Sequence, residues 1–132
     1  MPTSANPEIR YALDTSAILA YFLNEPQAPR VASLHRQSAI PFIAPSELYA
    51  VVWLKFGQPK ADEVVAHLRE WSLPWLWPRE DVVFLAGRWR ALHHLGLADS
   101  FIAALAFTYH ATLVTKDSDF RVLEADLKLL WL

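Results

Sequence analysis

Four acidic residues, far apart along the chain, are the residues whose types and spacing point to chemistry. Asp14 follows a short apolar stretch in "RYALDTSAIL", and Asp117 follows another in "LVTKDSDF". Glu47 and Asp99 each stand in the first turn of a predicted helix, in "APSELYAVV" and "LGLADSFIAALAF". The chain has no cysteine, and its histidines lack the HxxH or HExxH spacing of a zinc site. Oxygen ligands alone favour a hard divalent ion, so the pattern predicts a site for Mg²⁺ or Mn²⁺.

Each acid by itself also has an ordinary structural interpretation. Acidic residues in a first helical turn complement the helix dipole, and Asp14 with the hydroxyls after it is a typical N-cap. Four carboxylates that converge are harder to explain in this way, because they repel one another and raise their own pKa values. Ser16 and Thr115 accompany the acids, and either hydroxyl could hold a carboxylate, a metal-bound water or a phosphate. The ordinary alternative is a helix cap for Ser16 and a strand-end residue for Thr115. Asp119 is a possible fifth acid.

The elements that must position these residues alternate between strands and helices. Strands are predicted at residues 9–13, in "AIPFIAP" ending near Pro45, and in "LPWLWP", "ATLVT" and "LKLLWL". Helices are predicted at residues 15–23, 30–37, 46–57, 59–71, 79–95 and 97–110. This alternation predicts an α/β fold with a central, mostly parallel sheet covered by helices on both faces. Ligands bind beyond the carboxyl ends of such strands, where all four acids are expected to lie.

Composition limits the classes of protein that the chain can belong to. Its 132 residues, 54% of them hydrophobic, suit one domain, predicted at residues 9–132 after a flexible lead-in at residues 1–8. No apolar run reaches the ~18 residues of a membrane span, and no signal peptide is evident, so a cytoplasmic location is expected. The net charge of −2 argues against a nucleic-acid binder that works by bulk attraction, but not against a nuclease with bound cations.

Tryptophan is unusually frequent. The chain has six, namely Trp53, Trp71, Trp75, Trp77, Trp89 and Trp131. A domain of this size cannot easily bury all of them, so we expect an exposed apolar patch that meets a partner.

The four acidic stretches, taken together and in this order, resemble the PIN domain, and more narrowly the VapC toxins of prokaryotic toxin–antitoxin pairs. The resemblance runs from about Arg10 to Trp131. It implies a three-layer α/β/α fold and a ribonuclease that depends on Mg²⁺ or Mn²⁺. It also implies a homodimer that is held inactive by a VapB-like antitoxin, a segment of which lies along an apolar groove.

Carried over to this chain, the resemblance implies an acidic catalytic quartet and supporting polar residues. The quartet is Asp14, Glu47, Asp99 and Asp117, with Asp119 sharing or replacing the last role, and Ser16 and Thr115 match the family's small polar positions. We expect Asp14, Asp99 and Asp117 to bind the metal and Glu47 to bind a second ion or orient the attacking water. Lys116, beside Asp117, is a candidate contact to an RNA phosphate.

Other functions compete with this interpretation. A haloacid-dehalogenase-like phosphatase would need a second Asp two residues after Asp14, where Ser16 stands. A response-regulator receiver would need an Asp on a middle strand, and "IPFIAP" and "LPWLWP" supply none. A PIN-like module that has lost catalysis and only binds a protein partner remains the alternative, although the presence of all four acids argues against it.

Overall fold

The computed structural model describes residues 8–132. Of the lead-in predicted at residues 1–8, only Glu8 therefore falls among the described residues, and it is exposed. Within the described range, no helix combines the length and the apolar character that crossing a bilayer requires.

A five-stranded parallel sheet forms the centre of the fold. Its strands are β1 (Tyr11–Leu13), β2 (Ser38–Pro41), β3 (Trp75–Leu76), β4 (Thr112–Thr115) and β5 (Leu129–Trp131). The spatial order is β3-β2-β1-β4-β5, and every neighbouring pair is parallel. The chain moves in one direction from β1 to β3 and then returns to place β4 on the other side of β1. The carboxyl ends of β1 and β4 thus flank the point where a doubly wound sheet opens a crevice for ligands.

Helices cover both faces of this sheet. They are α1 (Thr15–Phe22), α2 (Ala28–Leu34), α3 (Ala44–Phe56), α4 (Gln58–Glu70), α5 (Glu80–His93) and α6 (Leu97–Thr108), with short 3-10 helices at His35–Gln37 and Ser118–Leu123. Helix α1 packs on α2 and α3, α3 packs on α4, and α5 packs on α6. Right-handed crossovers place α1–α4 on one face and α5 and α6 on the other. The predicted three-layer α/β/α fold is confirmed.

Helix α6 lies deepest in the molecule. Five consecutive residues, from Ile102 to Ala106, are buried, together with Ser100. A helix that is apolar on nearly every side is expected in a core rather than at a surface. Because α6 is held on all sides, Asp99 in its first turn has a well-defined position at the edge of the sheet.

Two local features differ from the prediction. Strand β2 ends at Pro41, not near Pro45, and helix α3 begins at Ala44, so Pro45 lies in its first turn, where a missing N–H is tolerated. The 3-10 helix at Ser118–Leu123 had no predicted counterpart. The other helix and strand ends agree with the prediction to within a few residues, which is the usual uncertainty of element boundaries.

Candidate active site

Asp14 lies at the end of β1 and is held by three hydrogen bonds. Its Oδ1 accepts from the Ala17 N–H at 2.8 Å and from Ser16 Oγ at 2.7 Å, and its Oδ2 accepts from Thr115 Oγ1 at 2.5 Å. The first of these bonds makes Asp14 the N-cap of α1, so the simple capping role considered for it is real. The carboxylate is only 3% exposed, and burial raises its pKa to about 6 although the hydrogen bonds favour the charged form. Asp14 is thus an acid fixed in one orientation.

The hydroxyls of Ser16 and Thr115 connect the two strands beneath the site. Besides donating to Asp14, Thr115 Oγ1 accepts the Asp117 N–H at 2.8 Å. Ser16 Oγ accepts the Lys116 N–H at 2.8 Å. The two hydroxyls therefore hold a carboxylate and also fix the start of the loop that carries Asp117. Of the uses considered for them, the structure shows the first, the positioning of a carboxylate.

Three further acids approach one another above this network. One carboxylate oxygen from each of Asp99, Asp117 and Asp119 lies within 4.8 Å of the other two. Asp99 projects from the first turn of α6, and Asp117 caps the 3-10 helix by accepting the Asp119 N–H at 2.9 Å. This cap brings Asp119 to the same side as Asp117. The structure therefore brings together both acids of "KDSDF" and does not choose between them.

The electrostatics of Asp99 reflect this crowding. Burial, and then repulsion by Asp117, Glu47, Asp14 and Asp119, raises the pKa of Asp99 to about 7. The other four acids are thus all close enough to affect the pKa of Asp99, although among residues 8–132 only Asp99, Asp117 and Asp119 bring their oxygens within 4.8 Å of one another. Their oxygens are acceptors when ionised, and a divalent cation among them would remove the repulsion. The donor set fits Mg²⁺ or Mn²⁺.

Glu47 reaches the site from the first turn of α3. Its Oε1 accepts a hydrogen bond from Thr15 Oγ1 at 2.5 Å, which ties the start of α3 to the start of α1. Thr15 was not among the predicted site residues. Its place between Asp14 and Ser16, at the first position of a helix that starts on this edge, is the signal that could have identified it.

Lys116 points its ammonium group to a carboxylate of the protein. Its Nζ forms an ion pair with Glu25, a residue that the sequence did not single out. The predicted contact of Lys116 with an RNA phosphate stays a prediction, and Glu25 would compete with the phosphate for this cation.

The tryptophans are distributed as the composition suggested. Trp89 is buried, and Trp71 and Trp131 are half-buried, whereas Trp53, Trp75 and Trp77 are exposed. The expectation that the core cannot hold all six is confirmed.

Comparison with known families and structures gives a consistent result. The family model described as "PIN domain" matches residues 11–125. These residues include every acid of the site. No curated protein sequence matches the chain significantly.

Solved structures share the fold over nearly the whole chain. VapBC-1 from nontypeable Haemophilus influenzae is 25% identical, with a TM-score of 0.71 over 92% of this chain and 96% of that one. VapBC2 from Rickettsia felis, solved bound to a DNA fragment from their promoter, is 22% identical, with a TM-score of 0.74 over 91% of this chain and 96% of that one. DNA-bound VapBC from Salmonella typhimurium is 20% identical, with a TM-score of 0.74 over 92% of this chain and 97% of that one.

Proposed function

The chain belongs to the PIN domain family, and from this we propose that it is a divalent-metal-dependent endoribonuclease, the toxin of a VapBC-type toxin–antitoxin pair. One observation carries the proposal: acids from four separate segments of the chain lie at one edge of the sheet, where Asp99, Asp117 and Asp119 come within 4.8 Å of one another and repulsion helps to raise the pKa of Asp99 to about 7. An arrangement that is unfavourable in itself is typical of a site built for a ligand, in this case a cation.

The residues proposed to hold the metal divide into two sets. Asp99, Asp117 and Asp119 offer oxygens that already lie near one another. Asp14 is proposed as a further ligand through its Oδ2, which among residues 8–132 accepts only the Thr115 hydroxyl and keeps a lone pair. A bound Mg²⁺ or Mn²⁺ would supply Lewis-acid chemistry, activating a water molecule and offsetting charge on the phosphodiester.

The remaining residues are proposed to position these groups. Thr115 and Ser16 keep the Asp14 carboxylate and the Asp117 backbone in register, since each hydroxyl bonds both to Asp14 and to the loop after β4. Glu47 uses Oε1 to accept from Thr15, which leaves Oε2 to bind a second ion or to orient the attacking water. Outer groups of this kind commonly set the orientation and basicity of metal ligands.

The proposed partners are an RNA substrate, a VapB-like antitoxin and a second copy of the chain in a homodimer, all acting in the cytoplasm. The likeness to VapBC structures over nine-tenths of the chain supports the antitoxin. The apolar side chains exposed on α3 and α5, among them Leu54, Phe56 and Phe84, supply surface for protein partners.

The decisive experiment is cleavage of a mixed RNA pool by the purified chain. We expect cutting with Mn²⁺ or Mg²⁺, none with a chelator, and none by Asp99→Asn. Asp126→Asn is the matched control, because Asp126 is an exposed acid outside the site, and this variant should cut like the native chain. If the folded native chain does not cut, a PIN-like module that only binds a partner replaces the enzyme. Cutting that survives Asp99→Asn would point to a contaminating nuclease.

A further inference from the structure

An open cavity of about 530 Å³ lies beside the start of α3, and three of the eight residues that line it are aromatic. Phe42, Tyr49 and Trp75 line it, with Ser46, Asp62 and Arg69 at its polar parts. Its size lies within the roughly 300–1,000 Å³ of small-ligand pockets. We refer to these six residues as the aromatic cavity.

Strand register continues the aromatic surface beyond this cavity. Pro41 pairs with Leu76, and the Phe42 N–H donates to the Leu76 carbonyl at 2.9 Å, so Phe42 and Trp77 become neighbours where β2 and β3 end. The rings of Phe42 and Trp77 are 5.8 Å apart at an interplanar angle of 28°, and Trp75 and Trp77 have the same spacing and angle. Leu76 between them is 2% exposed, whereas Trp75 and Trp77 are 41% and 58% exposed. Two nearly parallel indole rings at the end of β3 therefore remain partly exposed to solvent.

The aromatic cavity adjoins the acidic site. Ser46 lines the cavity, and the next residue, Glu47, bonds to Thr15 within the site. On the other side, the Phe42 ring meets the Phe101 ring edge-on at 5.6 Å, and Phe101 follows Asp99 by two residues on α6. An extended polymer that crosses this edge of the sheet could contact both surfaces.

The cavity holds one carboxylate and one guanidinium, and the guanidinium is the group that is open to an anionic partner. Asp62 accepts the Tyr49 hydroxyl at 2.6 Å, which fixes one oxygen of this carboxylate and leaves its charge in place. Arg69 lines the same cavity and forms no ion pair with any of residues 8–132. A guanidinium group beside aromatic faces suits a phosphate next to a stacked base, because it binds phosphate in a bidentate way and also stacks on rings.

We propose that the aromatic cavity and Trp77 form a base-binding subsite for single-stranded RNA. Unpaired bases next to the cleaved phosphate stack on Trp75 and Trp77, and Arg69 contacts a neighbouring phosphate. Bases must be unpaired to expose their faces, so the subsite selects single-stranded over duplex RNA. This inference rests on the proposed ribonuclease function and locates a second contact with the same RNA beside the acidic site.

The test measures binding of a short, fluorescently labelled single-stranded RNA by anisotropy, with Asp99→Asn in every chain so that the RNA survives. Trp75→Leu is expected to weaken binding about tenfold, and Trp75→Phe to restore most of the loss, because only an aromatic ring supports stacking. Phe107→Leu is the matched control, because Phe107 is an exposed aromatic residue near the end of α6 and lies outside the subsite, and this variant should leave affinity unchanged. Should Trp75→Leu fail to fold, Trp77→Leu takes its place, since Trp77 is more exposed.

A second probe separates stacking from charge. In the same RNA, one base at a time is removed while the backbone and its charges are kept. The chain that carries Asp99→Asn alone should bind more weakly when the base is missing at one or two positions. The chain that also carries Trp75→Leu should bind the intact RNA and the RNA lacking that base equally well. Equal sensitivity of both chains to the missing base would overturn the subsite.

The outcomes also distinguish this inference from the proposed function. Metal-dependent cleavage combined with RNA binding that ignores Trp75 overturns the subsite alone. Base-dependent binding by a chain that never cleaves supports the subsite and overturns the nuclease. If Trp75→Leu leaves RNA affinity unchanged but lowers the mass found by sedimentation, this surface joins two copies of the chain and the subsite is wrong.

Discussion

The carboxyl edge of the sheet has two halves with opposite chemistry. Strands β1 and β4 lead into Asp14 and Asp117, which are linked through the hydroxyls of Ser16 and Thr115. Strands β2 and β3 lead into Phe42 and Trp77, whose rings lie face to face. The acidic half is held together by hydrogen bonds and opposed by charge repulsion, whereas the aromatic half is held by packing and leaves Trp75 and Trp77 partly exposed to water. The same topological position thus supports two kinds of site.

The difference shows how the two halves could share one substrate. The acidic half has the oxygen ligands that hydrolysis of a phosphodiester needs, but it would repel RNA in the absence of a cation. The aromatic half offers faces that any base can stack on, regardless of charge. Breaking one half should therefore affect the rate of cleavage, and breaking the other should affect substrate binding.

The largest effect is expected for Asp99→Asn. Loss of this proposed metal ligand should lower kcat by more than about 100-fold, because even outer partners of metal ligands cost about 10–100-fold. Trp75→Leu should raise KM about tenfold and leave kcat nearly unchanged, since it removes binding rather than chemistry. Steady-state cleavage of one single-stranded RNA measures both constants. A fall of kcat in Trp75→Leu equal to that in Asp99→Asn would contradict the division between the two halves.

Thr115→Val should give the next largest effect. The substitution keeps the shape but removes the hydroxyl that donates to Asp14 and accepts from the Asp117 N–H. We expect a loss of about 10–100-fold in cleavage and weaker Mn²⁺ dependence, read from a metal titration of the rate. Thr112→Val, on the same strand but without a role in the site, is the control. Equal losses in both variants would mean that the strand, rather than the hydroxyl, is responsible.

A moderate effect is expected on thermal stability without metal. Burial and mutual repulsion raise the pKa values of Asp14 to about 6 and of Asp99 to about 7, from an ordinary value of 3.8. Between pH 4 and 7 the folded chain therefore binds more protons than the unfolded chain, and stability falls as the pH rises. Calorimetry should show the melting temperature of the metal-free protein decreasing over this window.

Divalent cations should reverse that loss. Mn²⁺ at pH 7.5 is expected to raise the melting temperature, because it binds the folded state alone, and Asp14→Asn or Asp99→Asn should reduce this gain. Asp99→Asn should also melt higher than the native chain without metal at that pH, since it removes a repelled charge. An equal gain with Mn²⁺ in Asp14→Asn would argue against Asp14 as a ligand.

The smallest effect is expected for Lys116→Gln. Because Glu25 pairs with this ammonium group, its proposed contact with an RNA phosphate should change KM only severalfold. The reverse variant, Glu25→Gln, releases the cation and should lower KM. If both variants cleave RNA with the native KM at low and high salt, the ion pair has no part in RNA binding.

The sequence alone determined the type of fold and most of the candidate site. Alternating apolar stretches and helix signals predicted the parallel sheet, and acids placed directly after strands or in first helical turns predicted their common edge. These features are local: strand ends and helix starts can be recognised from a few neighbouring residues, and topology then brings such ends together.

Tertiary structure decided which groups touch. The bond between Thr115 and Asp14 joins residues 101 positions apart and depends on the register in which Leu13 pairs with Val114. The contact between Phe42 and Trp77 likewise depends on the pairing of Pro41 with Leu76, whereas the apolar pattern of "AIPFIAP" predicts a strand that continues past both Pro41 and Phe42. Register and side-chain packing are settled by contacts across the whole core, so no short stretch of sequence contains them.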